Sequence, residues 1–179
     1  MTTAPDYVQP VIGWRTWSAV VRDNETRLSS VIQRSLWPRG APLFASCRCA
    51  RWSIWPWSRN RHDAPALDCG CGIYAASLNV VRRYLPAVLA DSVLVRVIGR
   101  VALWGVVYEH DQGWRASAAY PKSLFVPVSD LRAVNAERIV SDLAAYGVPV
   151  RAVHASSPRA VIDEVVAIVA RQEVVEGYG

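Results

Sequence analysis

The pattern of apolar and polar positions changes character along the chain. Val11 to Val21 is β-branched and aromatic with small polar interruptions, and it predicts a strand. Asp23-Asn24-Glu25 predicts a turn, and Arg27 to Ile32 the strand returning from it. Trp37-Pro38-Arg39-Gly40-Ala41-Pro42 predicts another turn, followed by a short strand from Leu43 to Cys47. Cys49 to Asp68 shows neither a strand nor a helix period, and a structureless stretch of this length needs something to hold it. Gly72 to Tyr84 predicts a helix, with Ile73, Ala76, Val80 and Tyr84 near helical spacing and Pro86 to end it. Val93 to Val107 predicts one long strand or two bent ones, with Gly99 and Gly105 as bulges. His110-Asp111-Gln112-Gly113 predicts a turn, Trp114 to Ala119 an antiparallel return, and Leu124 to Val128 a further strand.

The tail is patterned differently. Asp130 to Tyr146 predicts a helix with Leu131, Val134, Ile139 and Leu143 on one side and Gly147 at its C-cap. Val148 to Val153 predicts a strand. Ser157 with Pro158 predicts the start of a last helix that runs to about Gln172. The expected fold class is therefore α+β, with an antiparallel β-rich core that a half-open barrel would satisfy, a metal-stapled loop and helix, and a C-terminal α-β-α segment. The expected division is a β-rich core domain over residues 1–128 and an extension over 129–179 packed on it.

Charge sharpens that division. Residues 1–128 carry 15 basic and 8 acidic groups, whereas residues 129–179 carry 5 and 7. Between Glu25 and Asp63 there are seven arginines and no acid. Hydrophobic residues make up 52%, too many for a disordered chain. The start, MTTAPDYVQP, has no basic and apolar leader, and the most apolar stretch, Leu85 to Tyr108, is broken by Asp91, Arg96 and Arg100. These features predict a cytoplasmic protein without stable membrane insertion.

All four cysteines lie between positions 47 and 71, which argues for one site. Cys47, His62, Cys69 and Cys71 form a three-cysteine, one-histidine set of the kind that closes tetrahedrally around a structural zinc. Cys69-Gly70-Cys71-Gly72 reads as a tight knuckle whose glycines let amides face the sulfurs. A helix beginning at Gly72 would add its positive end. Cys49 is the alternative ligand to Cys47. Buried cysteines acting as small hydrophobes, a redox dithiol and a catalytic metal are the competing readings, and the zinc-deaminase signature is absent.

Three further groups carry potential chemistry. Glu109, His110 and Arg115 flank a hairpin turn and suit anion binding or acid–base work, or a cross-strand Arg115–Glu109 pair that merely fixes the hairpin. Arg48, Arg51, Trp52, Trp55, Trp57, Arg59 and Arg61 interleave positive charge with aromatic surface, which suits phosphate neutralisation and base stacking on nucleic acid. The same composition suits an anionic membrane surface, or a loop folded onto the metal. Trp14, Trp17, Trp37, Trp104 and Trp114 are expected to pack together in the core. No glycine-rich phosphate loop is present.

Several motifs occur together: Gly13-Trp14-Arg15-Thr16-Trp17, Ala45-Ser46-Cys47, His62-Asp63-Ala64-Pro65 and Cys69-Gly70-Cys71-Gly72-Ile73-Tyr74-Ala75. They are followed by Gly99 to Gly105, Glu109-His110 through Gly113-Trp114-Arg115-Ala116, Ala119-Tyr120-Pro121 and Tyr146-Gly147-Val148-Pro149-Val150. Over roughly residues 11–150 this set resembles a family of small uncharacterised proteins of actinobacteria and their phages. The bias of 19 Arg to one Lys suits a GC-rich genome of that kind. The resemblance implies the metal site and the fold, and no activity. Residues 48–61 and 151–179 depart from it. The leading expectation is a structural-zinc binding module that contacts nucleic acid through the basic Trp-rich stretch. A protein–protein interaction module and a metal- or thiol-dependent enzyme are the alternatives.

Overall fold

The computed structural model describes residues 9–47, 62–85, 93–128, 133–155 and 157–176. The fold is mixed α+β and β-rich. Strands β1 (Val11–Arg22) and β2 (Glu25–Ser30) form a hairpin over Asp23-Asn24, both in left-handed conformation as a tight turn demands. They are followed by β3 (Leu43–Phe44), β4 (Ile73–Ala76), α1 (Leu78–Val81) with a 3₁₀ turn over Arg82–Tyr84, β5 (Val93–His110) and β6 (Gly113–Pro127). The C-terminal elements are α2 (Ala133–Ala144), β7 (Val150–Val153) and α3 (Pro158–Glu176).

The seven strands among the described residues belong to one sheet. β5 lies between β1 and β6, antiparallel to both, and β4 pairs β6 antiparallel. β4 also touches β1 through one pair, Trp14 with Ala76. The pairings β1–β5–β6–β4–β1 therefore close a ring of strands, and its closure rests on that single pair. β7 adds parallel to the far end of β6 after the α2 crossover.

The strands of β5 and β6 alternate their burial between two apolar clusters. Trp17, Trp37, Val97, Val101, Leu103, Leu124 and Val126 form one, and α2 covers it with Ile139 and Leu143. Ile98, Phe125 and Val153 belong to the other, which α3 covers with Val161, Ile162 and Val165. Trp17 and Trp37 pack edge to face with centroids 5.4 Å apart, both fully buried. Trp14 and Trp114 are only partly buried against these clusters. A buried relay ties α2 to the sheet: Tyr146 Oη accepts from the Leu28 amide and donates to the Trp37 carbonyl, each at 3.0 Å.

Three expectations are corrected. The helix predicted from Gly72 to Tyr84 is instead strand β4 followed by one short helix, because Ile73 to Ala76 find backbone partners on β6. Consequently no helix begins at the knuckle. The strands predicted at 114–119 and 124–128 are one strand running through Pro121, which sits at a register shift where its missing N–H is tolerated. The predicted bulge at Gly105 is present: the register shifts between Trp104 and Val107, Gly105 has φ +75°, and a Cβ there would lie 2.2 Å from Ser117 Oγ. Ser157 caps α3 as predicted, its Oγ accepting from the Ala160 amide at 3.2 Å, and Gly147 follows α2 with φ +69°. Among the described residues no helix is long and apolar enough to cross a membrane.

Candidate metal centre

One edge of β6 assembles the site. β4 pairs with Gly113 to Ala116 of that strand, and β3 pairs with Ala118 and Ala119 just beyond. The Ala45 amide extends the β3 pairing by donating to the Ser117 carbonyl at 2.7 Å. The chain leaving β3 toward Cys47 therefore meets the chain entering β4 from Cys71. Two segments far apart in sequence converge on one point because both hydrogen-bond to the same strand.

At that point the ligand atoms of Cys47, His62, Cys69 and Cys71 all lie within 4.8 Å of one another. Cys47 Sγ is 3.8 Å from Cys69 Sγ, and His62 Nε2 is 3.3 Å from Cys71 Sγ. Cys71 is buried and the other three are partly exposed. The four could hold one metal ion. Burial pushes the Cys71 thiol above its usual pKa, the Ala66 backbone amide opposes this, and the Cys69 thiol adds to it. A cation would take the place of those protons. Cys47 is itself in a disulfide in this structure. Metal binding by all four residues thus requires the reduced protein.

The knuckle is held by an arginine. Arg115, 4% exposed, reaches from β6 under the loop. Its Nη1 donates to the carbonyls of Cys69 and Cys71, the latter at 3.3 Å, and its Nη2 to the Leu67 carbonyl at 3.3 Å. Nε donates to His110 Nε2 at 2.8 Å, and the guanidinium lies 5.4 Å from the Tyr108 ring centre. Among the described residues no carboxylate pairs with it. The guanidinium thus holds the backbone of the segment that carries Cys69 and Cys71. Gly72 completes the turn with φ +127°, and a Cβ there would come within 3.1 Å of Pro65 Cβ and 3.3 Å of Arg115 Cβ. Gly70 has open space by comparison, with Tyr74 Oη 3.8 Å from its built Cβ.

Of the residues singled out from the sequence, the structure brings together the metal set. It separates the hairpin group. The register pairs Glu109 with Trp114 and Arg115 with Tyr108, so Arg115 and Glu109 face opposite sides of the sheet and form no cross-strand pair. His110 stays with Arg115, and Glu109 is exposed. Cys49 and the basic Trp-rich residues Arg48, Arg51, Trp52, Trp55, Trp57, Arg59 and Arg61 lie outside the described residues. The grip of Arg115 on the knuckle carbonyls was not expected from sequence. The two-residue turn at Asp111-Gln112 was the available signal, because counting back from it places Arg115 opposite Tyr108.

Comparisons of the chain with protein families, with curated proteins and with solved structures find no match in any of the three.

Proposed function

We propose that the protein is a small non-enzymatic binding module in which Cys47, His62, Cys69 and Cys71 hold one structural zinc ion. The approach of the four ligand atoms to within 4.8 Å carries this reading. A tetrahedral zinc with Zn–S of about 2.3 Å and Zn–N of about 2.0 Å has S···S edges of about 3.8 Å and S···N edges of about 3.5 Å. The Cys47–Cys69 and His62–Cys71 separations, 3.8 and 3.3 Å, lie close to those edges. Four protein ligands leave no position for a reacting water, which favours a structural role over hydrolysis. The ion would clamp both ends of the stretch from Cys47 to His62 onto β6.

The same reading gives that stretch its purpose. Residues 48–61 hold Arg48, Arg51, Arg59 and Arg61 with Trp52, Trp55 and Trp57 and no acid. A clamped segment of this composition suits a nucleic-acid backbone with unpaired bases stacked on the rings. Kinship with the actinobacterial and phage family suggested by the motifs belongs to this proposal too. The test is retention of reduced, zinc-loaded protein on single- and double-stranded DNA and on RNA across a salt series. Retention should fall steeply with salt and vanish in an Arg51→Ala, Arg59→Ala, Arg61→Ala triple variant that still holds zinc. Undiminished retention by that variant would refute the nucleic-acid reading and leave the zinc module standing.

A further inference from the structure

A second site lies where β2 and β4 part from β1. β1 is paired to β2 from Trp17 onward and to β4 at Trp14, so the edge at Arg15 and Thr16 is left between them. There a cleft of about 780 Å³ opens, walled by the segment after β2, by β3 and β4, and by α1 with the turn that follows. That volume suits a small organic ligand. Its rim gathers large apolar side chains that face solvent: Ile32 at 79% exposure, Phe44 at 68%, Tyr74 at 46% and Tyr84 at 43%. Such a concentration on one rim is unusual for a surface without a ligand.

The charge of the cleft is one-sided. Arg15, Arg115 and His110 line it, and among the described residues no aspartate or glutamate does. Arg115 has its donors committed to the knuckle carbonyls and to His110. Arg15 does not. Its Nη1 donates to the Tyr74 carbonyl and its Nη2 to Ser30 Oγ at 3.3 Å, bridging the two walls, while Nε is buried with no partner. A guanidinium has five N–H groups, and two hydrogen bonds to it are present, with its carbon 5.2 Å from the Trp37 ring centre. No described carboxylate pairs with it. Burial lowers its pKa to about 10, the mark of a cation short of compensating charge.

We propose that this cleft binds a small organic monoanion, a carboxylate carried on a flat apolar body, with the carboxylate on Arg15 and the body against the exposed aromatic rim. A single available guanidinium between apolar walls favours one negative charge over two. None of the four metal ligands lines the cleft, although their neighbours Ser46, Gly70 and Gly72 do, and the proposal does not depend on the nucleic-acid reading.

The test uses 2-naphthoate and its neutral isostere 2-naphthamide, titrated into the reduced, metal-loaded full chain by calorimetry. The acid should bind at least tenfold tighter than the amide, since charge-assisted hydrogen bonds are the stronger kind. Arg15→Gln should erase that preference. Because Arg15 also bridges two strands, Phe44→Glu provides a second variant at an exposed position. It should weaken both compounds, the acid at least tenfold more than the amide, and leave the melting temperature unchanged. Equal affinity for acid and amide in the wild type, an unchanged acid affinity in Phe44→Glu, or no binding of either compound at millimolar concentration would overturn the proposal.

Discussion

Replacing Arg115 by methionine keeps a stem of similar length and removes the guanidinium. Three carbonyls lose their donor, those of Leu67, Cys69 and Cys71. The bond to the Cys71 carbonyl is buried, and the other two are partly so. A hydrogen bond to a charged group contributes about 1.5–3 kcal/mol when buried, and partly solvated ones contribute less because water replaces the donor. The three together with the His110 contact give a loss of about 3 kcal/mol. Part is regained because a buried cation no longer needs to be desolvated. Metal affinity should fall as well, by about 10–100-fold, the usual cost of removing a group that orients the ligands. Urea unfolding of the reduced protein with and without zinc, and competition with a chromophoric chelator, measure the two effects. The diagnostic result is that zinc stabilises wild type more than Arg115→Met. A variant that unfolds within about 0.5 kcal/mol of wild type and competes equally for zinc would refute the view that Arg115 holds the knuckle.

Gly72→Ala should destabilise by about 1–3 kcal/mol in urea, because an alanine would be strained at φ +127° and its Cβ would press on Pro65 and Arg115. Gly70→Ala, which has room, serves as the control and should be the milder change. Tyr146→Phe should cost about 1–3 kcal/mol in chemical denaturation, leaving the Leu28 amide and the Trp37 carbonyl without their shared hydroxyl; a loss below about 0.3 kcal/mol would show that the relay contributes nothing. The metal-free reduced protein should lose stability as pH rises above the ordinary thiol value of 9.0. Burial raises the Cys71 pKa, so the folded state holds that proton more tightly than the unfolded chain and gives up this advantage once both are deprotonated. A melting temperature that climbs between pH 8 and pH 10 would contradict the assignment.

Much of the fold follows from local pattern, and its exceptions have identifiable causes. β1, β2 and the α2–β7–α3 order are legible because their apolar periods are long and turn residues bound them. β4 is not, because Ile73, Ala76, Val80 and Tyr84 fall near helical spacing while what decides the segment is a backbone edge forty residues away on β6. Pro121 hides the continuity of β6, since a proline mid-strand reads as a break unless the bulge beside it is known. The parallel pairing of β7 with β6 is likewise a matter of three-dimensional return after α2, which no local pattern encodes. The metal set was legible because thiolate and imidazole chemistry restricts it to few residue types within a short span. The role of the arginine beneath it is not legible, because charge complementarity offers Glu109 as a partner that strand alternation forbids. The cleft at Arg15 was invisible, since it arises from three strands failing to meet rather than from any motif.

The metal centre is the claim on which most of this rests, and metal content with ligand mapping tests it most directly. Reduced protein should carry one zinc per chain by elemental analysis. Single replacements of Cys47, His62, Cys69 and Cys71 should each lose the ion and lower stability, whereas Cys49→Ser should keep both. Reduced protein that takes up no zinc while Cys47, Cys69 and Cys71 titrate as thiols would contradict the account and turn the cluster over to redox chemistry.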